Sequence, residues 1–347
     1  MSAEGAAFKT ADSLGGIGSG DVMAAPLALL AMLVELAVGY PAWLVKHAGH
    51  PVTWMGRLIA WLDTRLNDPV KESAARRRAG RIAFVLLLLV VGASAFLLET
   101  ALLLLPFGLL LIALAASTLI AQRSLHGHVA AVADALETGS LEDGRAAVSQ
   151  IVGRDTTQLD EAGVVRAAIE SLAENFSDGV VSPVFWLGLA GLTGGAVYKA
   201  INTADSMIGH RSPRYEDFGR AAAKFDDAVN LPGSRLSGLL LVGAAALTQD
   251  ASAKRAWDTM RRDAAKHASP NAGVPEAAMA GALDVALGGP RAYADSHTDG
   301  AWLGDGRRDA KPSDLRAALR LYVRADGLLI VLVAVMAALS VTLSATV

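Results

Sequence analysis

"IAFVLLLLVVGASAFLLETALLLLPFGLLLIALAASTLIA" (82–121) decides the class of fold. Its only charge is Glu99, between two apolar runs at 82–98 and 101–121. A helix needs roughly 20 apolar residues to cross a bilayer. Each run is close to that length, and the Glu99–Thr100 break predicts a tight helical hairpin. A third run, "LLIVLVAVMAALSVTLSATV" (328–347), has the same character. A fourth, 24–45, is interrupted by Glu35, Gly39 and Pro41. It is expected to span or half-span, with Trp43 and Lys46 near an interface.

The composition agrees. Of 347 residues 53% are hydrophobic and 19% charged, with a mean hydropathy of +0.39, whereas soluble domains carry roughly 25% charge. The length would accommodate two soluble domains. The apolar runs instead predict one membrane-embedded all-α unit, 24–347, behind a mobile Gly/Ala/Ser-rich lead-in, 1–23. A retained first span is preferred over a leader peptide built from Lys9 and 24–38. "GGIGSG" (15–20) lacks the preceding strand and the spacing of a phosphate loop. The net charge of −3 and the lack of a basic run interleaved with aromatics exclude nucleic-acid binding. The chain has no cysteine, so disulfides, thiolate metal sites and a cysteine nucleophile are excluded.

Two stretches are ambiguous. Residues 180–198 are apolar but glycine-broken, with Gly191 and Gly195 at close-packing spacing, and 236–248 is short for a span. "KESAARRRAGR" (71–81) places the start of the 82–98 span in the cytoplasm. The hairpin then returns the chain, so 122–179 is cytoplasmic, and its three-to-four apolar spacing predicts amphipathic helices. A full crossing by 180–198 would put 199–235, with six Lys/Arg, outside. That conflict predicts re-entrant or protein-buried segments, with every polar cluster meeting on one cytoplasmic face.

Four clusters could carry chemistry. "GRDT" (153–156) offers Arg154 and Asp155, readable as a helix cap with a solvated arginine or as site groups. "ESLAENFSDGVVSPVFW" (170–186) stacks Glu170, Glu174 and Asp178 beside Asn175 at the mouth of an apolar run. Carboxylates at helical spacing repel unless a cation or proton joins them, which suggests a Mg²⁺- or substrate-facing role. In "YKAINTADSMIGHRSPRYEDFGRAAAKFDDAVNLPGSR" (198–235), Asn202 and Asp205 share a helical face, as do Asp226 and Asn230. Arg211, Arg214 and Arg235 alternate with them, as a metal–phosphate site needs. "SPNAGVPEAAMAGALDVALGG" (269–289) supplies Asn271 and Glu276, site groups or a cap, with Pro275 opening a helix. "GHPVTWMGR" (49–57) adds His50, more often structural beside a proline, and Arg57. No nucleophile triad, Walker lysine loop or zinc spacing occurs.

Together, "HPVTWMGRLI", "GRDT", "ESLAENFSDGVVSPVFW", the long third string and "SPNAGVPEAAMAGAL" resemble the CobD/CbiB family of cobalamin biosynthesis, over roughly residues 26–345 in the family's order. One departure is "ELAVGYP" (35–41), where the family often has an acidic, proline-containing segment. The resemblance implies a multi-pass enzyme of the cytoplasmic membrane with its site facing the cytoplasm. It would be a ligase joining the propionate carboxylate of adenosylcobyric acid to (R)-1-aminopropan-2-ol or its O-phosphate, with ATP and Mg²⁺. The expected partners are those substrates and the lipid bilayer, other corrin-pathway enzymes, and further copies in a homo-oligomer. An amine does not attack a carboxylate that is not activated, most simply as an acyl phosphate. The expected roles are Mg²⁺ on Asp205, Asp226 and Asp227, aided by Asn202 and Asn230, and a proton acceptor in Glu174 or Asp178, near Asn175. Arg211, Arg214 and Arg235 would hold phosphates, while Arg154, His50 and Asn271 orient substrate. Asp155, Arg57, Lys199 and Glu276 complete the expected binding set. A transporter of an ion or corrinoid is the alternative, though no internal repeat is seen. A CDP-alcohol phosphotransferase would need the DGxxAR signature, but Asp178-Gly179 is followed by "VVSP". A non-catalytic anchor for soluble corrin enzymes leaves the many candidate ligands unused.

Overall fold

The computed structural model describes residues 19–40, 46–47, 49–293, 296–298 and 300–345. The lead-in up to residue 18, Lys9 with it, and the interfacial placement of Trp43 lie outside them. The expected all-α architecture is present. Helices α1 (Ser19–Val38), α2 (Pro51–Leu66), α3 (Ser73–Leu103), α4 (Gly108–Ser117), α5 (Gln122–Thr138), α6 (Leu141–Val148) and α7 (Glu161–Phe176) come first. A π-helical turn, Ser177–Val181, carries α7 into α8 (Ser182–Ala204), and a second, Asp205–Gly209, ends it. Then follow α9 (Arg220–Val229), α10 (Leu231–Ala246), α11 (Ala253–Asp263), α12 (Gly273–Leu283) and α13 (Pro312–Ala345). Among the described residues the strands form two antiparallel pairs. β1 (Leu287–Gly288) joins β4 (Trp302–Leu303), and β2 (Arg291–Tyr293) joins β3 (Ser296–Thr298).

Four helical stretches are long and apolar enough to cross a membrane: Ser73–Leu103, Gly108–Thr138, Glu161–Gly209 and Pro312–Ser344. Their outward faces suit lipid. Leu89, Phe96 and Leu97 of α3, Leu104 and Phe107 beyond it, and Val331, Val335 and Leu339 of α13 are all exposed. An apolar surface that large marks contact with lipid or protein.

The hairpin turn is not at Glu99–Thr100. Helix α3 runs through both, and the turn lies at 104–107, where Phe107 takes a left-handed φ of 60° just after Pro106. Glu99 stays helical because it serves another helix. Its carboxylate accepts the backbone N–H of Leu192 (3.1 Å) and Thr193 (3.2 Å) and the Thr193 hydroxyl (2.9 Å). Those amides begin the second half of α8, so Glu99 is a cap supplied from a neighbouring helix.

Helix α8 is broken. Ala190 (φ −141°, ψ 30°) and Gly191 (φ 62°, ψ −159°) leave helical geometry, and the chain turns back on itself there. The Tyr198 hydroxyl donates to the carbonyl of Asp178, twenty residues earlier, at 2.9 Å, whereas a straight helix would separate them by about 30 Å. Trp186 Nε1 donates to Val229 O (3.0 Å), and the side-chain amide of the adjacent Asn230 lies 2.8 Å from Tyr198 Oη. The limbs can touch because a side chain at Gly195 would collide with Leu187, and one at Gly191 with Glu99. The apolar length of 161–209 is thus no single span: 182–189 enters and 192–204 returns, as the charge of 199–235 requires.

The other polar interruption is also a cap. Glu35, 4% exposed, accepts the Arg123 backbone N–H (3.0 and 3.1 Å) and Gln122 Nε2 (3.3 Å) at the start of α5. Tyr322 of α13 donates to the Gln122 carbonyl (2.8 Å). Helices α1, α5 and α13 therefore pass from apolar to polar character at one level. Helix α10 is one of the shorter apolar helices. It is followed by Thr248, whose hydroxyl accepts from Arg324 in the charged half of α13 (2.8 Å), so it too stays with the polar side.

Candidate functional site

The two amide–carboxylate pairs expected on separate helices meet. Asn202 Nδ2, late in the returning limb of α8, donates to Asp226 Oδ1 of α9 at 3.4 Å, and Asn230 is held through Tyr198. Asp226 also feels the charges of Asp205 and Asp227. The π-turn at 177–181 brings Asp178 against Glu174, Asp226 and Lys199. Lys199 lies among Asp178 and Asp226. These residues lie at the foot of the folded-back helix, where both limbs end.

Burial and neighbouring Asp205 push the Asp226 carboxyl from 3.8 up to about 7, despite the opposing amides of Asn230 and Asn202. Partial burial moves Asp227 in the same direction. Asp205 faces Asp227 and His210. A carboxylate cluster of this kind asks for a cation. Among the described residues, however, no three His, Asp or Glu side chains form a group that could by itself hold a metal.

His50 joins this centre from the far side. It caps α2, accepting Val52 N–H at Nδ1 (3.2 Å), and stacks edge-on against Tyr40, whose hydroxyl donates to Gly49 O (2.6 Å). Burial and the Lys199 ammonium lower its affinity for a proton, which keeps the imidazole neutral near pH 7. Arg57, on the same helix, is exposed, one residue from Gly56 where α2 meets Met207.

A second group flanks the centre. Arg154 Nη2 pairs with Glu170 Oε2 at 2.6 Å, both largely buried, and Glu170 Oε1 accepts Gly288 N–H from β1 (2.8 Å). Ser171 holds Ile151 O (2.8 Å), and Asn175 Nδ2 donates to Ser171 O (2.9 Å). The expectation that Asp155 caps the helix fails. The cap of α7 is Asp160, which accepts Gly163 N–H (2.7 Å). Asp155 instead closes its own turn by accepting the N–H and hydroxyl of Thr157 (2.9 and 2.7 Å), because its side chain is too far upstream to reach the first helical amides.

The remaining expected residues divide. Asn271 receives Arg235 Nη1 (2.9 Å) and gives Nδ2 to Asp227 O (2.9 Å), which ties the turn before α12 to the end of α9. Glu276 is buried, 3.6 Å from His267 Nε2, and lines a cavity with Arg154, Glu170 and Glu174. Arg214 does not face this centre. It pairs with Asp63 Oδ2 (2.7 Å), while Asn67 and Arg76 fasten the same loop through Pro213 and Arg214 carbonyls. Arg211 is exposed at the neighbouring turn.

Three adjoining cavities make one trough. The largest, about 920 Å³, is bounded by Tyr40, His50, Arg123, His128 and Lys199. It shares His128 and Lys199 with a lobe of about 380 Å³ that reaches Asn175. That lobe shares Ser171 with a pocket of about 190 Å³ lined by Arg154, Glu170, Glu174 and Glu276. Sequence reasoning missed Tyr40, His128 and Tyr198. His128 had a signal, as it follows Ser124 by one helical turn and bonds its carbonyl (2.7 Å).

The model of the CobD/Cbib protein family matches residues 28–322. The chain is 50% identical over 304 residues to the cobalamin biosynthesis protein CobD of Rhodobacter capsulatus, covering 87% of this chain and 93% of that one. It is 49% identical over 296 residues to the protein of that name from a Sinorhizobium species (84% and 92% covered). For Brucella anthropi the match is 48% over 299 residues (84% and 90%). No solved structure matches.

Proposed function

Because this chain belongs to the CobD/Cbib family of cobalamin biosynthesis, we propose that it joins the propionate carboxylate of adenosylcobyric acid to the amine of (R)-1-aminopropan-2-ol or its O-phosphate. ATP hydrolysis would drive the amide bond. The basic end of α3 would face the cytoplasm of the inner membrane, and the trough would open there.

The observation that carries this reading is the meeting of Asp178, Asp226 and Asn202 about Lys199, which itself lines two of the linked cavities. Drug-sized ligands occupy roughly 300–1,000 Å³, and a chain of lobes beyond that range suits a corrin with a second substrate beside it. The amine reaches the enzyme as an ammonium and must lose a proton to become nucleophilic. Asp178, which feels both the Glu174 charge and the Lys199 ammonium, or Glu174 beside it, would accept that proton. Arg154, fixed by its pairing with Glu170, and Lys199 would anchor carboxylate or phosphate oxygens. Burial of this floor excludes the water that would otherwise hydrolyse an activated carboxyl.

The carboxylates fit a magnesium ion of the kind that takes one or two acids plus phosphate oxygens. Asp226, raised to about 7 beside Asp205 and Asp227, is a group that a cation would relieve. Asp226, with Asp205 or Asp227 and the Asn202 amide, would hold it together with phosphate oxygens, Asn230 steadying Asp226. Bound Mg²⁺ supplies charge neutralisation across ATP phosphates. Arg235, exposed beside Asn271 and the end of α9, is the better placed of the expected phosphate arginines; Arg214, engaged with Asp63, is better suited to fixing the loop.

A corrinoid or ion carrier remains the rival. What speaks against it is Gly191, which returns α8 to the side it entered from. The deciding experiment gives purified protein adenosylcobyric acid, Mg·ATP and each amine, and looks for the amide by mass spectrometry. The amide should form with wild type and fall at least about 100-fold in Lys199→Met and Asp226→Asn. Vesicle uptake of corrinoid without any amide would overturn the proposal.

A further inference from the structure

The trough leaves one large charged surface unused. Arg77, Arg78 and Arg81 of α3 and Arg220 and Lys224 of α9 line a groove of about 730 Å³. Arg77 is engaged by Asp217 at 2.8 Å, and Asp217 is the single acid in the lining. Arg78, Arg81, Arg220 and Lys224 are exposed. The groove is built, because α3 approaches the loop before α9 at Gly80, where any side chain would collide with the Phe218 backbone. Its walls are therefore fixed by main-chain contact.

One end of the groove is apolar. Phe225 is 53% exposed with its ring 5.2 Å from that of Phe84, and Ile82, Val85, Leu86 and Leu89 continue down the outer face of α3 as exposed apolar residues. Four cations thus stand directly above a membrane-facing stripe. We propose that this groove binds the phosphate of an anionic phospholipid, the headgroup lying among Arg78, Arg81, Arg220 and Lys224 and the acyl chains along Val85 and Leu89. A soluble phosphate compound would use the cations but gain nothing from the stripe, whereas a lipid uses both. The site is separate from the trough and does not depend on the reaction assigned to it.

The test is native mass spectrometry of the full chain in neutral detergent, titrated with phosphatidylglycerol or phosphatidylcholine. Phosphatidylglycerol should be retained at least about tenfold more tightly, since each cation near a headgroup is worth roughly fivefold. Arg78→Gln/Arg81→Gln/Lys224→Gln should abolish most of that preference. A control lacking Arg65, Lys254 and Arg261, with the same change in net charge, should keep it. If the triple variant does not fold, the single Lys224→Gln should still lose several-fold. Equal retention of the two lipids, unchanged binding in the variant, equal loss in the control, or displacement by millimolar inorganic phosphate or ATP would each overturn the proposal.

Discussion

Asp226 carries a pH dependence that can be measured directly. Its carboxyl titrates near 7 in the folded protein against 3.8 unfolded, so between those values the folded chain holds a proton that the unfolded chain has released. This contribution favours the fold at low pH and fades as pH rises through about 7. In chelator, wild type should lose stability relative to Asp226→Asn between about pH 4 and about pH 7, as read by thermal melting in detergent; parallel curves would show that the carboxyl is solvated. Arg154 offers a second measurement. Replacing it with Met removes the ion-pair partner of the buried Glu170 and should cost about 3–5 kcal/mol, and Arg154→Met/Glu170→Gln should recover most of it. Recovery that is absent would mean that the cost does not come from the lost ion pair. At this scale much of the site was legible. Glu174, Asp178, Asn202 and Asp226 could be chosen because acids and amides at helical spacing beside apolar sequence are costly without a purpose. Arg214 could not be judged, because its partner Asp63 lies 151 residues away and no local pattern announces it.

The elements that define the site are helices broken on purpose. Glycines in 180–198 announced that a simple span was unsafe, and Gly191 with its positive φ is where the limb reverses. What the local sequence could not reveal was the acid that stabilises the break. Glu99 read as a hairpin charge, yet it satisfies the amides of Leu192 and Thr193 across the bundle. Gly191→Ala should therefore be strained twice, by its backbone and by collision with Glu99, at about 1–3 kcal/mol. Glu99→Gln should cost roughly 1–3 kcal/mol by weakening a charged cap. The double variant should lose less than the sum, measured by melting temperature in detergent. Strict additivity would show that the two residues do not meet. Asp155 and Asp160 illustrate the same limit at a helix start. Both are plausible caps by composition, and only the position of the first helical turn selects Asp160.

The whole molecule keeps its charge on one side. The turn at 104–107 and the outer half of α13 are apolar and exposed, while α6, α7, α9, α11 and the strand pairs gather at the other end with the trough between them. The membrane class, the amphipathic helices of 122–179 and the shared polar face were readable from hydropathy and from the arginines of 71–81 and 199–235. The depth of the trough was not, because it depends on α1, α5 and α13 changing character at one level. The strand pairs of 287–303 were not either, being too short to show a period. Since every candidate group before α8 and every one after it must share a compartment, the path of α8 bears the weight of the account. The chain has no native cysteine, so single cysteines can be labelled in sealed and inverted vesicles with a membrane-impermeant maleimide. Ser140→Cys and Arg211→Cys should label from the same side and Phe107→Cys from the opposite one; labelling of Arg211→Cys and Ser140→Cys from opposite sides would mean that α8 crosses the bilayer and that the site as described does not exist.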